Sequence, residues 1–383
     1  MSKLRITLRQ HTPLIHFQPE QQGAILRATE FKPKLDRFLI NYAFGNNEKP
    51  KENFERYKKY LVGYKKNVRD KYEDFQDKKA FNYKLRICNV VKLKSSCEIQ
   101  KDFPLYFGNM GKNNFNRSKF VFCDTLDVEL ISFHNEIIDK IIKWLPGFLM
   151  KTNFGQRQSK GFGSFYINDL NEYFYNGSKK KYEKDEVEKC KKLKHRFEVK
   201  ATYDDKIIKS KDEKYKEQYA LFEQINEFYM SLRSKLKKQD PYIKGYALEN
   251  KMTWDKDKIK SEYANKKIEL NYPAYLIKDL LGLSVMEKWH KQGFTITKTH
   301  INGEIERFQS PIFFKPIRKS QNKFIVYFEG RDIPKQFLDQ AFNIKKDGSG
   351  DLQLKTPKNF NIDDFMKYVI KNNKDKSLKI ELS

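Results

Sequence analysis

The residues best suited to chemistry lie in a basic, glycine-containing stretch from Gly155 to Ser164. Glycine lets a backbone adopt left-handed conformations and approach a ligand closely, so successive amide N–H groups here could converge on phosphate oxygens. Arg157 and Lys160 add positive charge, and Ser159 and Ser164 add hydroxyl donors. Because no group in the stretch suits acid–base catalysis, it predicts contact with a sugar-phosphate backbone; the alternative is a turn that needs glycine only for its own geometry. The glycines are Gly155, Gly161 and Gly163.

Two familiar nucleotide-binding and RNA-binding signatures do not fit this stretch. A Walker A loop needs G-K-[ST] at a fixed spacing before a helix, whereas this stretch precedes a strand-like segment. The residues Lys160–Gly163 fit the first four positions of the RNP1 signature of RNA-recognition motifs. Ser164 then occupies the second stacking position and Phe165 points to the other face, so the RNP1 match is weak.

The charge of the chain favours a polyanionic partner. Seventy-seven Lys and Arg against fifty Asp and Glu give a formal charge of +27 over 383 residues. Such an excess concentrates anions near the surface, and nucleic acid is the first candidate partner. Most of the excess is lysine, which an AT-rich genome also produces, so a generic basic protein without a specific RNA is the alternative.

The sequence predicts a cytoplasmic protein without a membrane partner. The first residues lack an apolar signal region. The most apolar run, Ile137–Met150, is interrupted by charged residues and a proline, which argues against a membrane span. The cysteines are scattered, without a C-x-x-C pair or a histidine at ligand spacing, so we expect reduced thiols and neither a zinc site nor another cofactor. These cysteines are Cys88, Cys97, Cys123 and Cys190.

The first half of the chain alternates strand and helix patterns in a recognisable order. Hydrophobic periodicity predicts strands and helices in the order strand, helix, strands, helix, strand, which is typical of a ferredoxin-like domain. Residues 51–79 have apolar side chains at spacings of three and four and are predicted to form one long charged helix inserted in this domain. The other predicted elements are Leu4–Arg9, Thr29–Tyr42, Lys84–Lys94, Lys119–Phe122, Leu126–Phe133, Asn135–Trp144 and Gly163–Ile167.

The second half opens in the same way after a highly charged segment. Residues 171–194 are polar and of mixed charge, which predicts a connector between domains. A strand at Arg196–Tyr203 and a helix over about 213–238 follow, with later strands at Pro311–Pro316 and Lys323–Phe328 and a last helix at Ile362–Lys371. We therefore predict an α+β fold of two tandem ferredoxin-like (RRM-like) domains, residues 1–170 with the helical insertion and residues 195–383.

The glycine-containing stretch also resembles a known family. Its pattern, G-x-R-x-S-x-G-F-G-S after a helix, is similar to the glycine-rich loop of the RAMP superfamily, the RNA-binding subunits of CRISPR effector complexes. The likeness is greatest to the first RAMP subunit of Cmr-type (III-B) complexes. Leu4–Leu14 and Leu26–Arg37 resemble the first strand, turn and first helix of that family, and Arg307–Phe314 resembles an S-P segment of its second domain.

The resemblance implies a non-catalytic type III effector subunit with two ferredoxin-like domains. It implies binding of guide RNA and target RNA and assembly with other CRISPR effector subunits in antiviral defence. A helix N-terminus and a glycine loop, both basic, would hold the RNA backbone from two sides. By position the resemblance assigns RNA contact to Arg27, Lys32, Lys34, Arg37, Gly155, Arg157, Ser159, Lys160, Gly161, Gly163 and Ser164.

Histidines carry the alternative interpretation, a metal-independent endoribonuclease that processes CRISPR repeat RNA. Such an enzyme needs a general base at a 2′-hydroxyl and an acid at the leaving oxygen. His16 flanks the first turn and His134 lies where a strand meets a helix, so these two are the candidate pair. The sequence contains neither an H-D pair nor a G-G-D-D stretch, which argues against metal-dependent nuclease or cyclase chemistry.

Overall fold

A computed structural model of the chain describes most of its residues and divides into two compact units. The first unit comprises Met1–Ile99, Asn116–Leu193 and Lys315–Ile317, and the second comprises Gln100–Phe115, Lys194–Phe314 and Arg318–Ser383. The residues described are 1–16, 25–45, 50–65, 79–98, 103–104, 119–190, 192–206, 208, 210–236, 239–264, 267–289, 291–373 and 378–382.

The described elements follow each other along the chain as strands with intervening helices. Those up to residue 190 are β1 (Ser2–Gln10), β2 (Leu14–Ile15), α1 (Ala28–Phe38), α2 (Pro50–Tyr57), β3 (Lys84–Val91), β4 (Lys94–Glu98), β5 (Lys119–Phe122), β6 (Thr125–Ser132), α3 (Asn135–Met150), β7 (Phe165–Ile167), β8 (Glu172–Tyr175), β9 (Ser178–Lys181) and α4 (Lys184–Cys190). Those that follow are β10 (His195–Lys200), α5 (Glu213–Arg233), α6 (Tyr242–Glu249), β11 (Thr253–Trp254), α7 (Asp255–Tyr263), β12 (Ala274–Tyr275), β13 (Met286–Trp289), β14 (Phe294–His300), β15 (Ile312–Ser320), β16 (Lys323–Gly330), β17 (Ala341–Lys346), β18 (Ser349–Lys355), α8 (Ile362–Lys371) and β19 (Glu381–Leu382).

The main sheet of the first unit is built around β1. Its strand order is β3-β6-β1-β8-β9, and β7 pairs with β1 beside β8. Along β1 the side chains of Leu4, Ile6 and Leu8 are buried, whereas the intervening residues remain partly exposed, as expected for a strand with one face in the core. Helix α3 contacts β1 and β6, and α1 contacts β3, so the apolar face lies under the helices. A smaller sheet has the order β2-β5-β4.

The two helices on this sheet differ from the prediction at their ends. Helix α1 begins at Ala28, one residue before the predicted start at Thr29, and no side-chain hydrogen bond caps it. A π-helical turn at Leu39–Ala43 continues it to about the predicted end. Helix α3 runs through Pro146 to Met150, beyond the predicted end at Trp144. Burial of Leu145 and the three residues after Gly147 accounts for the extension, because their packing outweighs the hydrogen bond that proline removes.

The predicted helix over residues 51–79 is wrong in length. Helix α2 ends at Tyr57 and a 3-10 turn at Lys58–Tyr60 follows it. Leu61 then forms a β-bridge with Phe81, which cannot occur if the helix continues. Periodic aromatic residues are buried here by packing between short segments and not along one long helix. For example, the Phe44 ring contacts the rings of Tyr57 and Tyr60. Residues 66–78 of the predicted helix lie outside the described residues.

The charged segment 171–194 is not an irregular connector. It forms the β8–β9 hairpin and helix α4, and up to Leu193 it belongs to the first unit. Tyr182, Val187 and Leu193 are buried, so the segment has an apolar side that its many charges concealed in the sequence. Lys179, Lys180 and Lys181, part of the charge that suggested a linker, lie on the exposed strand β9.

The second unit contains a four-stranded sheet and a six-stranded sheet. The four-stranded order is β15-β16-β10-β19, and the six-stranded order is β11-β12-β18-β17-β14-β13. This order corresponds to β3-β6-β1-β8 of the first unit, with β15, β16, β10 and β19 in the places of β3, β6, β1 and β8. Helix α8 has the predicted bounds, because the Asn361 side chain accepts hydrogen bonds from the Asp363 and Asp364 amides and caps it.

The α+β class predicted from the sequence is confirmed, whereas the six-stranded sheet was not predicted. Its core is formed by Ile259, Leu276, Trp289, Phe294, Ile296, Phe342, Ile344 and Leu354. Within the part of the chain that the structure describes, no helix combines the length and apolar character that crossing a membrane requires.

Candidate nucleic-acid interface

The glycine loop, residues 155–164, connects the end of α3 to β7 and contains several left-handed residues. Gly155, Gly161 and Gly163 have φ angles of 74°, 94° and 66°, and Arg157 has a φ of 57°. A Cβ atom at Gly163 would lie 1.9 Å from the Phe154 carbonyl oxygen, and one at Gly155 would lie 2.5 Å from that of Ile15. Glycine is therefore required at both positions by the close approach of neighbouring backbone.

Most of the amides in the glycine loop donate to the protein itself. The Gly155 amide donates to Glu30 Oε1 at 2.8 Å, and the Gly163 amide donates to the Pro13 carbonyl oxygen at 2.8 Å. The predicted nest of amides for phosphate is wrong for these groups, because their hydrogen atoms already have acceptors. The same applies to the amides of Gln156, Lys160, Gly161 and Ser164, which donate to Ile15 O, Arg157 O, Gln158 O and Thr12 Oγ1.

The hydroxyl and ammonium groups of the loop are also largely interior. Ser164 is fully buried, and its hydroxyl donates to the Pro316 carbonyl oxygen at 2.8 Å. Ser159 and Lys160 are each 8% exposed. Ser164 thus belongs to the scaffold of the loop and cannot contact a phosphate. Arg157 is half-buried and is the loop cation with the most accessible position.

Helix α1 and the glycine loop meet through Lys34. Its Nζ atom donates to Glu30 Oε1 at 2.7 Å, to the Asn153 carbonyl oxygen at 3.0 Å and to Gln158 Oε1 at 2.8 Å. Burial lowers the pKa of Lys34, while the neighbouring Glu30 carboxylate opposes this effect. The two segments predicted to act together are therefore adjacent, and Lys34 joins them as a structural cross-link.

Lys32 faces a different part of the unit. Its Nζ atom donates to Asp36 Oδ2 at 2.7 Å and to the Phe81 carbonyl oxygen at 2.8 Å, and it lies 4.1 Å from the Tyr83 ring centroid. Burial raises the pKa of Asp36, and Lys32 counteracts this by pairing with the carboxylate. The ammonium group of Lys32 thus balances a buried carboxylate, and the structure does not bring it to the glycine loop.

Arg27 and Arg37 complete the predicted cations of α1. Arg27 immediately precedes the helix and is half-buried, and its carbonyl oxygen accepts the Glu30 and Phe31 amides. Arg37 is exposed in the last turn. It follows Lys34 by three residues and so lies on the same stripe of the helix that meets the loop. Among the described residues, neither arginine side chain has an ion-pair partner.

Lys315 is a buried contributor to the glycine loop that the sequence analysis did not identify. Its Nζ atom donates to the Thr152 carbonyl oxygen at 2.8 Å, to Asn153 Oδ1 at 3.1 Å and to the Phe165 carbonyl oxygen at 2.9 Å. The side chain is fully buried. Burial lowers the pKa of Lys315 well below its usual range, and Lys34 acts in the same direction. The only available signal was a lone lysine within the apolar run Ile312–Ile317.

Asn153 links these lysines to the loop. It is 1% exposed, and its Nδ2 atom donates to the Gln158 carbonyl oxygen at 2.7 Å. Its two oxygen atoms accept hydrogen bonds from Lys34 and Lys315. The start, the middle and the end of the loop are therefore held by one connected network of buried polar groups.

The structure separates the two candidate catalytic histidines. The His16 carbonyl oxygen accepts from Gln156 Nε2, which places His16 beside the glycine loop. His134 precedes the first residue of α3, where its ring packs against that of Tyr60 at 5.8 Å. The loop follows the other end of α3, and a helix of this length spans about 24 Å. His16 and His134 therefore cannot act as the acid and base on one phosphodiester.

The described residues show no group of three or more His, Cys, Asp and Glu side chains arranged to hold a metal ion.

Comparisons with known proteins identify the family. A model of the Cmr1 N-terminal domain matches residues 1–236, and a model of the Cmr1 C-terminal domain matches residues 238–382. Among solved structures, the apo form of Cmr1 from Pyrococcus furiosus is similar, with 12% identity, coverage of 88% of this chain and 90% of that chain, and a TM-score of 0.40. A search of curated proteins finds no match. The chain belongs to the Cmr1 family, and the predicted membership of the RAMP subunits of Cmr-type (type III) CRISPR effector complexes is confirmed.

Proposed function

We propose that this chain is a non-catalytic, RNA-binding subunit that holds guide RNA, or the guide–target duplex, by its sugar-phosphate backbone in antiviral defence. Its partners in this proposal are guide and target RNA and other effector subunits, in the cytoplasm. The observation that carries it is the adjacency of α1 and the glycine loop, which puts Arg27, Arg37 and Arg157 on neighbouring elements. Guanidinium groups suit phosphate oxygens because their donors form a planar fork.

The backbone grip, meaning the set of groups at α1 and the glycine loop that contact phosphate, is smaller in this proposal than the set predicted from the sequence. The amides of the glycine loop and the side chains of Lys32, Lys34 and Ser164 serve the protein interior. The loop is thus a rigid support, and the arginines that it and α1 present are the phosphate ligands. Rigid support reduces the entropy lost on binding and so favours affinity.

We also propose that each four-stranded arrangement is a ferredoxin-like domain. In both, the strand order is second, third, first, fourth, with a helix after the first strand and another after the third. The β1–β6 and β10–β16 pairings are antiparallel, as this arrangement requires. The six-stranded sheet is then formed by two insertions in the second domain: β11 to β14 lie between its first helix and second strand, and β17 and β18 lie between its third strand and second helix.

Purification from cells that carry a CRISPR array tests the proposed function. The expected result is a co-purifying short RNA of uniform origin, bound with an affinity that falls steeply with salt because counterions are released from the phosphates. Equal, length-independent binding to heparin and RNA would instead indicate a generic basic protein. Site-specific cleavage of repeat RNA in EDTA would contradict the non-catalytic assignment.

A further inference from the structure

One row of side chains crosses the main sheet of the first unit on the face opposite α1 and α3. The strand registers place Arg86 opposite Glu129, Glu129 opposite Arg5, Arg5 opposite Phe174, and Phe174 opposite Lys179. Residues directly opposite each other on neighbouring strands project from the same face. These five side chains therefore form a continuous line across β3, β6, β1, β8 and β9, which we call the cross-strand row.

Cations outnumber carboxylates around the cross-strand row. Glu129 forms ion pairs with both Arg86, at 2.6 Å, and Lys3, at 3.6 Å. Glu172, on the neighbouring position of β8, pairs with Lys179 at 2.8 Å and Lys181 at 3.5 Å. Each of these carboxylates is thus faced by two cations, which leaves the surface net positive and complementary to phosphate.

The cations of this surface are accessible to a large ligand. The side chains of Arg86, Lys179 and Lys181 are 66%, 57% and 64% exposed, and that of Lys3 is 47% exposed. Their carboxylate partners Glu129 and Glu172 are only 4% and 16% exposed, so the cations would contact phosphate through their remaining N–H donors and keep these ion pairs.

Arg5 and Phe174 supply a planar element at the centre of the cross-strand row. The guanidinium carbon of Arg5 lies 4.4 Å from the centroid of the Phe174 ring, and both side chains are half-exposed. Unpaired bases stack on aromatic rings and on arginine planes, and surrounding cations hold the backbone of the same strand. Bases in a duplex are already stacked and paired and cannot use such a platform.

We propose that the cross-strand row is a second RNA contact, specific for unpaired bases, and separate from the backbone grip at α1 and the glycine loop. The inference rests on the proposed function, because it takes RNA as the ligand. Arg5 and Phe174 stack with a base, and Lys3, Arg86 and Lys179 contact the flanking phosphates. The subunit then distinguishes single-stranded from paired RNA at this face.

Binding of the full chain to one RNA, single-stranded or annealed to its complement, tests the proposal. Arg5→Gln and Phe174→Leu are each expected to weaken single-strand binding about tenfold, the loss typical of one stacked base, and to leave duplex binding unchanged. Phe174→Tyr keeps the ring and should keep the affinity, which separates stacking from damage to the fold. Arg56→Gln, an exposed arginine on α2, is the matched control and should change neither affinity.

Photocrosslinking gives a second readout. Single-stranded RNA containing iodouridine should crosslink to the peptide that includes Glu172–Tyr175, and the annealed RNA should not. Unchanged single-strand affinity in Arg5→Gln and Phe174→Leu, or crosslinks elsewhere only, would overturn the second contact. A wild-type chain that binds neither RNA would overturn the proposed function itself.

Discussion

At the scale of single residues, the most consequential side chain near the glycine loop is a lysine without a carboxylate partner among the described residues. Burying an ammonium group is costly unless its donors are satisfied. Lys315 meets this requirement with three oxygen acceptors, on Thr152, Asn153 and Phe165. Two of these acceptors are backbone carbonyls that flank the loop on either side, so the buried Lys315 side chain holds the two ends of the loop in place. Arg157 is then the loop cation most accessible to a ligand.

Lys315→Met tests this role, because methionine has a similar shape and no donors. Three buried oxygens would lose their partner, so we expect the free energy of unfolding to fall by about 2 kcal/mol or more. Urea denaturation of the full chain measures the change. Lys319→Met, an exposed lysine on the same strand, is the control and should lie within about 0.5 kcal/mol of wild type. Equal stability of the two variants would contradict the role of Lys315.

In the second unit, Asp255 lies in a buried cluster of charged side chains that also contains Lys278, Asp279, Glu287 and Lys298. Its carboxyl group is fully buried; one oxygen accepts the Lys278 amide at 3.4 Å, and the other has no hydrogen-bond partner among the described residues. Burial raises the pKa of Asp255 to about 6, and Asp279 and Glu287 act in the same direction. Lys298 and Lys278 oppose the shift without cancelling it.

This pKa predicts a dependence of stability on pH. Between the ordinary value of 3.8 and about 6, the folded chain holds a proton on Asp255 that the unfolded chain has lost. Stability contributed by this group therefore decreases as pH rises through this window, by up to about 3 kcal/mol. Asp255→Asn cannot titrate, so its stability relative to wild type should increase by most of that amount between pH 4 and 7 in urea denaturation. A difference that is independent of pH would show that Asp255 titrates normally.

At the scale of elements, the sequence pattern predicted α1 and the glycine loop, and the structure adds how closely they are fitted. Glycine content indicated left-handed backbone, which is present at Gly155, Gly161 and Gly163. What the pattern did not show is that the loop packs against its own neighbours, since the atoms that crowd Gly163 belong to Phe154 and not to a ligand. The left-handed conformation therefore serves packing, and binding depends on it indirectly.

Gly163→Ala measures this packing against a matched glycine. The new Cβ atom would meet the Phe154 carbonyl oxygen at 1.9 Å, so we expect a loss of at least about 2 kcal/mol in unfolding free energy. Gly177→Ala, in the β8–β9 turn, also has a positive φ but nothing within 4 Å of its Cβ position, so it should lose only about 1 kcal/mol. Thermal or urea denaturation of both variants makes the comparison. Similar losses would mean that the backbone conformation, and not the close contact, determines the cost.

At the scale of the whole molecule, the features that the sequence predicted are those that follow from a pattern of neighbouring residues. The order of strands and helices in the first half, helix α8 and the family resemblance all rest on runs of several residues. The six-stranded sheet escaped prediction in part because two of its strands, Thr253–Trp254 and Ala274–Tyr275, have two residues each, too few for a periodic signal. The role of Lys315 escaped it because its partner Thr152 is 163 residues away in the chain.

The sequence predicted two segments, α1 and the glycine loop, that the structure places side by side, but it did not distinguish the roles of their individual cations. Charge identified the basic residues, yet Lys32 and Lys34 neutralise or bridge groups inside the first unit. Only tertiary structure distinguishes such a cation from one that is left for a ligand. A basic composition alone therefore overstates the number of phosphate contacts that the chain can make.

The dependence of RNA affinity on salt counts those contacts directly. For single-stranded RNA, each phosphate contact contributes about 0.7 to the slope of log affinity against log salt. Replacing Arg27 and Arg157 together with glutamine should thus reduce the slope by about 1.4, because two counterion-releasing contacts are lost. The same double substitution at Lys32 and Lys34 should leave the slope nearly unchanged in any fraction that remains folded, since these lysines face the interior. Fluorescence anisotropy of a labelled guide RNA over a salt series measures both slopes. If the lysine pair changed the slope and the arginine pair did not, phosphate contact would have to be assigned to the lysines, and the arginines would be ordinary solvated side chains.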